Sequence, residues 1–245
     1  VDLGKLAQMI AYDAIIDDYG ETFDYSICQA DNLAKESGWY QATAELNPLV
    51  IEAQKTISYE IYDEIGIPDY VLVSMGSGGT IYSLWKGFVE LKKAGFTAAL
   101  PRFIGIQPEG CSPIVDLFYG KNLQTTKTSN TATRALAILV GNPVQRDFAL
   151  KAINESKGFA LTVSDSEILS AELQIAKLEG VFAEPASSAT VAALNKLVKK
   201  KKILKDDKVV ALITGSGLKA TDVLQALNKR QKTAGFGLEL STKEK

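Results

Sequence analysis

Short apolar runs alternate along this chain with stretches whose apolar positions recur every three or four residues. The clearest run is Val71-Leu72-Val73-Ser74-Met75, bounded by turn residues, and it predicts a buried strand. After it, Ile81, Leu84, Trp85, Phe88, Val89 and Leu91 fall near helical spacing and predict a helix. Upstream, Leu6, Met9, Ile10 and Ala14 predict a helix beginning near Gly4, with Ala14-Ile15-Ile16 readable as a strand end. Phe23, Ile27, Ala30 and Leu33 predict a helix over 23–37, stopped by Gly38. Asn47-Pro48 marks a turn, because proline restricts the residue before it. Ile51, Ile57, Ile61 and Ile65 then predict one long helix over 49–65.

The second half continues the alternation. Residues 102–107 predict a strand, 111–119 a short helix, and the Thr-rich stretch 121–130 a loop. An apolar run over 133–140 ends at the turn Gly141-Asn142-Pro143. Residues 144–156 predict a helix and 158–163 a strand. Ser164 or Asp165 reads as an N-cap, with Glu167 in the first turn of a helix that runs to 179 and closes at Gly180. After an extended connection over 181–185, Ser187 or Ser188 is expected to cap a helix to residue 202; its lysines 199–202 suit a solvated C-terminus. Residues 208–214 predict a buried strand, Gly215-Ser216-Gly217 a second glycine turn, 220–229 a last helix, and 232–245 a polar tail. Strands alternating with helices predict an α/β fold with a mostly parallel sheet. Ligands of such sheets bind beyond the carboxyl ends of the strands, where both glycine turns fall.

Composition narrows the chemistry. At 245 residues, 46% hydrophobic and 23% charged, the chain suits one large domain or two small ones. A net charge of −2 with scattered Lys and Arg leaves no nucleic-acid footprint, and no apolar run approaches a membrane-spanning length. Cys28 and Cys111 match no metal or redox spacing and read as free thiols of a cytoplasmic protein. The chain has no histidine, which removes Ser-His-Asp and Cys-His catalysis and most transition-metal sites. Acid–base work falls to Lys, Asp, Glu, Tyr or a cofactor.

The turn Gly76-Ser77-Gly78-Gly79-Thr80 is the strongest chemical signal. Glycines let the backbone pass close to a ligand, and the helix start behind them offers unpaired N–H groups to an anion such as a phosphate. Ser77 and Thr80 add hydroxyls. Two common phosphate motifs are excluded: Ile81 stands where a dinucleotide fingerprint needs its third glycine, and Thr80 follows Gly79 where a P-loop needs lysine. A glycine turn after a strand also occurs with no ligand at all.

Three motifs together resemble the pyridoxal-phosphate enzymes of the tryptophan-synthase-β fold, threonine synthases most closely. They are Gly76-Ser-Gly-Gly-Thr80 followed by Trp85-Lys-Gly-Phe88, then Val181-Phe-Ala-Glu-Pro-Ala-Ser187, then Thr214-Gly-Ser-Gly-Leu-Lys219. Lys5-Leu-Ala-Gln8, Gln54-Lys-Thr56 and Gly141-Asn-Pro143 are similar too. The resemblance implies pyridoxal 5'-phosphate as cofactor, its phosphate cradled by Gly76, Ser77, Gly78, Gly79 and Thr80 and its pyridine nitrogen met by the Thr214 hydroxyl. A neutral hydroxyl does not hold that nitrogen protonated, so the ring is a weaker electron sink. The Gly turn and Thr214 are thus expected at one edge of one sheet. The implied activity is elimination or replacement on a small amino acid, O-phosphohomoserine to threonine by resemblance. Alternatives are a dehydratase-like lyase on an unphosphorylated amino acid and an inactive paralogue or fragment that only binds. A homodimer is implied.

The departures from the family carry expectations of their own. The family's earlier segment with the Schiff-base lysine is not in this chain, so no catalytic lysine is assigned and the chain by itself is expected to be inactive. Residues 1–46 are expected to be part of a smaller domain that leaves an open apolar edge, and 47–231 the larger, cofactor-binding domain. The family's Asn-Ser-x-Asn-Pro-Tyr-Arg is here Ala44-Glu-Leu-Asn-Pro-Leu-Val50, which puts Glu45 where polar and basic groups are expected for a substrate phosphate. Thr80, Ser216 and Leu139 replace an Asn, a His and an Arg of the family pattern. Arg102, Arg134 or Lys127 would have to supply the missing cation.

Overall fold

The structure is a computed structural model whose described residues are 3–20, 22–121 and 132–220. Among the described residues, four strands form one parallel sheet in the order β3-β2-β1-β4: β1 (Tyr70–Ser74), β2 (Arg102–Pro108), β3 (Phe159–Val163) and β4 (Val209–Ala211). Strand β1 is central, and alternate side chains feed two cores. Val71 and Val73, with Phe103 and Ala160, face α5 (Gly79–Lys93), α6 (Pro113–Phe118) and α7 (Arg146–Glu155), meeting Leu84, Phe88, Ile114, Ala149 and Ile153. Leu72, with Ile104, Ile106 and Val163, faces α8 (Asp165–Glu179) and α9 (Pro185–Lys199). A parallel sheet covered on both faces explains why its strands read as unbroken apolar runs. Helix α9 presents Ala186, Ala189, Ala192 and Ala193, small residues that let it lie close to the sheet and to α8.

Before the sheet come α1 (Leu3–Ala11), α2 (Phe23–Ser37), α3 (Pro48–Gln54) and α4 (Thr56–Ile65). Helix α2 has the predicted limits: Thr22 caps its start, and Gly38, at φ 68°, ends it in the left-handed conformation that glycine tolerates. Helix α8 starts at Ser164 with a full capping box to Glu167.

Four expectations are corrected. The single helix over 49–65 is two helices that meet at Lys55. The Lys55 carbonyl sits over Gly87 of α5, where a Cβ would come within 2.5 Å of it, and Ser58 Oγ donates to Leu84 O at 2.6 Å. This docking on α5 is tertiary and leaves no trace in the apolar spacing. Neither Ser187 nor Ser188 caps α9; Pro185 occupies its first turn with Glu184 at the cap position, and both serines are buried inside the helix. The strand over 208–214 is short and half-buried, because β4 is an edge strand with β1 as its one neighbour among the described residues. Residues 14–16 belong to no element. The expected helix over 220–229 beyond Ala220, the tail from 232 and most of the Thr-rich loop, Lys127 included, lie outside the described residues.

Among the described residues before 47 there is no strand. Tyr12, Ile15, Trp39 and Tyr40 are exposed there. Helix α1 touches the turn after β4, and Asp24 of α2 accepts a hydrogen bond from the Asn142 N–H at 3.1 Å.

Candidate active site

A cavity of about 550 Å³ opens at the carboxyl ends of β1 and β4. In the order β3-β2-β1-β4 the chain leaves β1 toward β2 on one side and has β4 on the other. The crevice between β1 and β4 is therefore the switch point of the sheet, where parallel α/β folds place ligands. The volume is that of a small-molecule pocket. Gly76, Ser77, Gly78, Gly79 and Thr80 line one wall and Thr214 another, so the two predicted clusters meet at one sheet edge.

The glycine turn is held from behind. Gly78 has φ 101°, a conformation that disfavours other residues, and a Cβ on it would stand 2.8 Å from Ala149 Cβ and 2.9 Å from Gln145 O. A Cβ on Gly79 would overlap Gln145 Oε1. Helix α5 begins at this turn with no side-chain cap. Its first N–H groups have no partner within the helix, and its dipole favours an anion there. A phosphate fits this place: it supplies the acceptors that a capping side chain supplies at α2, α3 and α8.

Across the cavity, Phe182 O and the Glu184 N–H pair with the loop after β4, through Gly217 N at 2.8 Å and Gly215 O at 2.9 Å. That pairing sets Ser187 under Thr214, with the two hydroxyls 3.1 Å apart. Lys5 of α1 pairs with Glu184 at 3.4 Å.

Sequence reasoning missed Gln145, Ser187 and Glu184. Gln145 donates to the Ala44 and Glu45 carbonyls at 3.4 and 3.2 Å, tying the turn before α3 to the glycine loop. Its place two residues beyond Pro143 was the one available hint. Ser77 Oγ donates to Glu45 Oε1 at 3.2 Å, so that carboxylate does face the cavity. The charged residues of the described lining are Glu45 and Glu184. Arg102 stacks over Tyr70 at the opposite end of the sheet, and Arg134 is not part of the lining.

The model of the family described as pyridoxal-phosphate dependent enzyme matches residues 1–215. The chain belongs to that family. Its relatives include the threonine synthase of Methanocaldococcus jannaschii, 41% identical over 91% of this chain and 55% of that protein. Another, the threonine synthase of Methanosarcina acetivorans, is 41% identical over 89% of this chain and 54% of its own length. The chain thus spans about half the length of these relatives. The processed threonine deaminase isoform 2 of Solanum lycopersicum superposes with a TM-score of 0.68 over 90% of this chain and 62% of that one, at 22% identity, and shares the fold. Family membership makes pyridoxal phosphate the cofactor, and the α/β architecture agrees with it. No helix among the described residues is long and apolar enough to cross a membrane.

Proposed function

We propose that the protein serves pyridoxal-phosphate-dependent elimination or replacement on an amino acid, of the threonine-synthase kind. The observation that carries this reading is the meeting of the uncapped start of α5 with Thr214 at the β1/β4 switch point, in a chain 41% identical to threonine synthases. Gly76, Ser77, Gly78, Gly79 and Thr80 would hold the cofactor phosphate, and Thr214 would meet the ring nitrogen. When bound, the cofactor supplies an electron sink for charge developing next to the substrate's amino group. The protein's own residues bind and orient it: backbone N–H groups take the phosphate charge, Gln145 fixes the turn over it, and the apolar wall of Val50, Ile51, Ile57 and Ile138 excludes water.

A second reading rests on the lining. A substrate phosphate needs charge-assisted donors, and the described lining offers two carboxylates and no lysine or arginine. An unphosphorylated amino acid, taken by a dehydratase-like lyase, suits that wall better. The experiment is a comparison of O-phosphohomoserine with serine and threonine as substrates of the full-length protein. Threonine formed from O-phosphohomoserine supports the first reading. Ammonia and 2-oxo acid from serine or threonine, with no reaction of the phosphorylated substrate, supports the second. Inertness toward all three, with cofactor bound, leaves an inactive binding paralogue.

The same reading makes 1–46 part of a smaller domain packed on a cofactor domain over 47–231, and the protein a cytoplasmic homodimer. Analytical ultracentrifugation of the full-length protein tests the dimer.

A further inference from the structure

Ser187 sits in the first turn of α9, fully buried, and its hydroxyl has three neighbours. It accepts from the Thr214 N–H at 3.0 Å and from the Gly215 N–H at 2.9 Å. The third neighbour is Thr214 Oγ1 at 3.1 Å, a contact in which heavy atoms alone do not say which oxygen donates. The two backbone bonds decide it. A hydroxyl oxygen has two lone pairs and one proton. Both lone pairs of Ser187 Oγ are taken by N–H groups, so its proton goes to Thr214 Oγ1. The opposite polarity would crowd three hydrogens onto one oxygen and leave the buried Ser187 proton without an acceptor, which is costly. Thr214 Oγ1 is therefore an acceptor on its buried side, and its own proton is left for the cavity that Thr214 lines.

We propose that Ser187 is a positioning residue that fixes the hydrogen-bond polarity of Thr214, so that Thr214 can meet the cofactor's ring nitrogen only as a donor. That nitrogen then stays unprotonated because the protein has already committed the proton between them. The backbone supports the arrangement: Thr190 Oγ1 donates to Ser187 O at 2.8 Å, and the Glu184–Gly215 pairing holds the two segments in register. The inference rests on the cofactor reading only for what lies beyond Thr214; the Ser187 proton can be located without any cofactor, so the two can fail separately.

The first test is neutron diffraction from deuterium-exchanged crystals of the 245-residue chain. Deuterium on Ser187 Oγ directed at Thr214 Oγ1 is the expected result; deuterium on Thr214 Oγ1 directed at Ser187 overturns the proposal. The second test follows ring-¹⁵N-labelled pyridoxal 5'-phosphate bound to the protein. In the native chain the ring nitrogen should keep its unprotonated chemical shift from mildly acid to mildly alkaline pH. In Ser187→Ala the freed Thr214 hydroxyl can turn a lone pair to the ring, and the resonance should move toward the protonated position as pH falls. Ser187→Thr, which keeps the hydroxyl, should restore the native shift. A Ser187→Ala protein that only loses thermal stability, with an unmoved resonance, means a merely structural serine and overturns the proposal. Should Ser187→Ala not fold, the neutron measurement decides.

Discussion

Glu172 is a carboxylate in the wrong medium, and that makes it a quantitative probe of the α8/α9 core. It is 1% exposed, and among the described residues neither oxygen has a hydrogen-bond partner. Burial raises its carboxyl from the ordinary 4.5 to about 7. At about 1.4 kcal/mol for each pH unit of displacement, this amounts to about 3 kcal/mol. The sign follows from the direction. The folded state holds the proton more tightly than the unfolded state, so the stability it contributes is complete below pH 4.5. It is lost as pH rises, and gone above about 7. Glu172→Gln removes the titration and keeps the shape. Its amide has a desolvation cost of its own, about 1–3 kcal/mol, but that cost does not change with pH. The quantity to follow is therefore the stability difference between Glu172→Gln and the native chain. It should shift by about 3 kcal/mol in favour of the glutamine between pH 4.5 and 8, with other carboxylates cancelling in the difference. Urea unfolding followed by circular dichroism at several pH values measures it. A difference flat with pH to within about 0.5 kcal/mol, the usual scatter between independent sites, would mean that Glu172 finds a partner or water and is not an unpaired buried carboxyl.

Three more expectations follow from the site and its supports. Gly78→Ala, strained at φ 101° and pressed against Ala149 and Gln145, should cost about 1–3 kcal/mol and abolish binding of pyridoxal 5'-phosphate, read by thermal unfolding and by titration of the cofactor's absorbance. Glu45→Gln should bind inorganic phosphate about tenfold more tightly by calorimetry, because a carboxylate no longer competes for Ser77, and the gain should largely vanish in a Ser77→Ala background. Burial raises the Glu90 carboxyl, but hydrogen bonds from Lys55, Lys86 and Tyr59 outweigh it and hold it down to about 2. Stability from this carboxylate is thus present above pH 4.5 and lost as pH falls toward 2. Glu90→Gln should cost about 1 kcal/mol or less at neutral pH, where solvent screens the pair, and nothing near pH 2 when compared by urea unfolding.

What was legible in the sequence was whatever local pattern decides. The run 71–75 gave β1, Gly38 and Ser164 gave helix ends, and two glycine turns after two strands pointed to the candidate site. A parallel topology then brings Gly76–Gly79 and Thr214 together, since neighbouring parallel strands end at the same edge. What stayed hidden depends on contacts across the fold. The break at Lys55 exists because Gly87, thirty-two residues on, leaves room for its carbonyl. Ser187 looked like a helix cap because Ser is a good cap; its true partners, Thr214 and Gly215, are brought to it only by the pairing of 182–184 with 215–217. Gln145 carries no motif of its own, and its hold on Ala44 and Glu45 spans about a hundred residues of chain.

On the proposed reading, the start of α5 and Thr214 hold one cofactor between them. A crystal structure of the chain grown with pyridoxal 5'-phosphate tests it most directly. The phosphate is expected on the backbone N–H groups at Gly78, Gly79 and Thr80, and the ring nitrogen within hydrogen-bond distance of Thr214 Oγ1, about 2.7–3.2 Å. A cofactor bound with its phosphate away from the glycine turn, or with its ring nitrogen facing a carboxylate rather than Thr214, would contradict it.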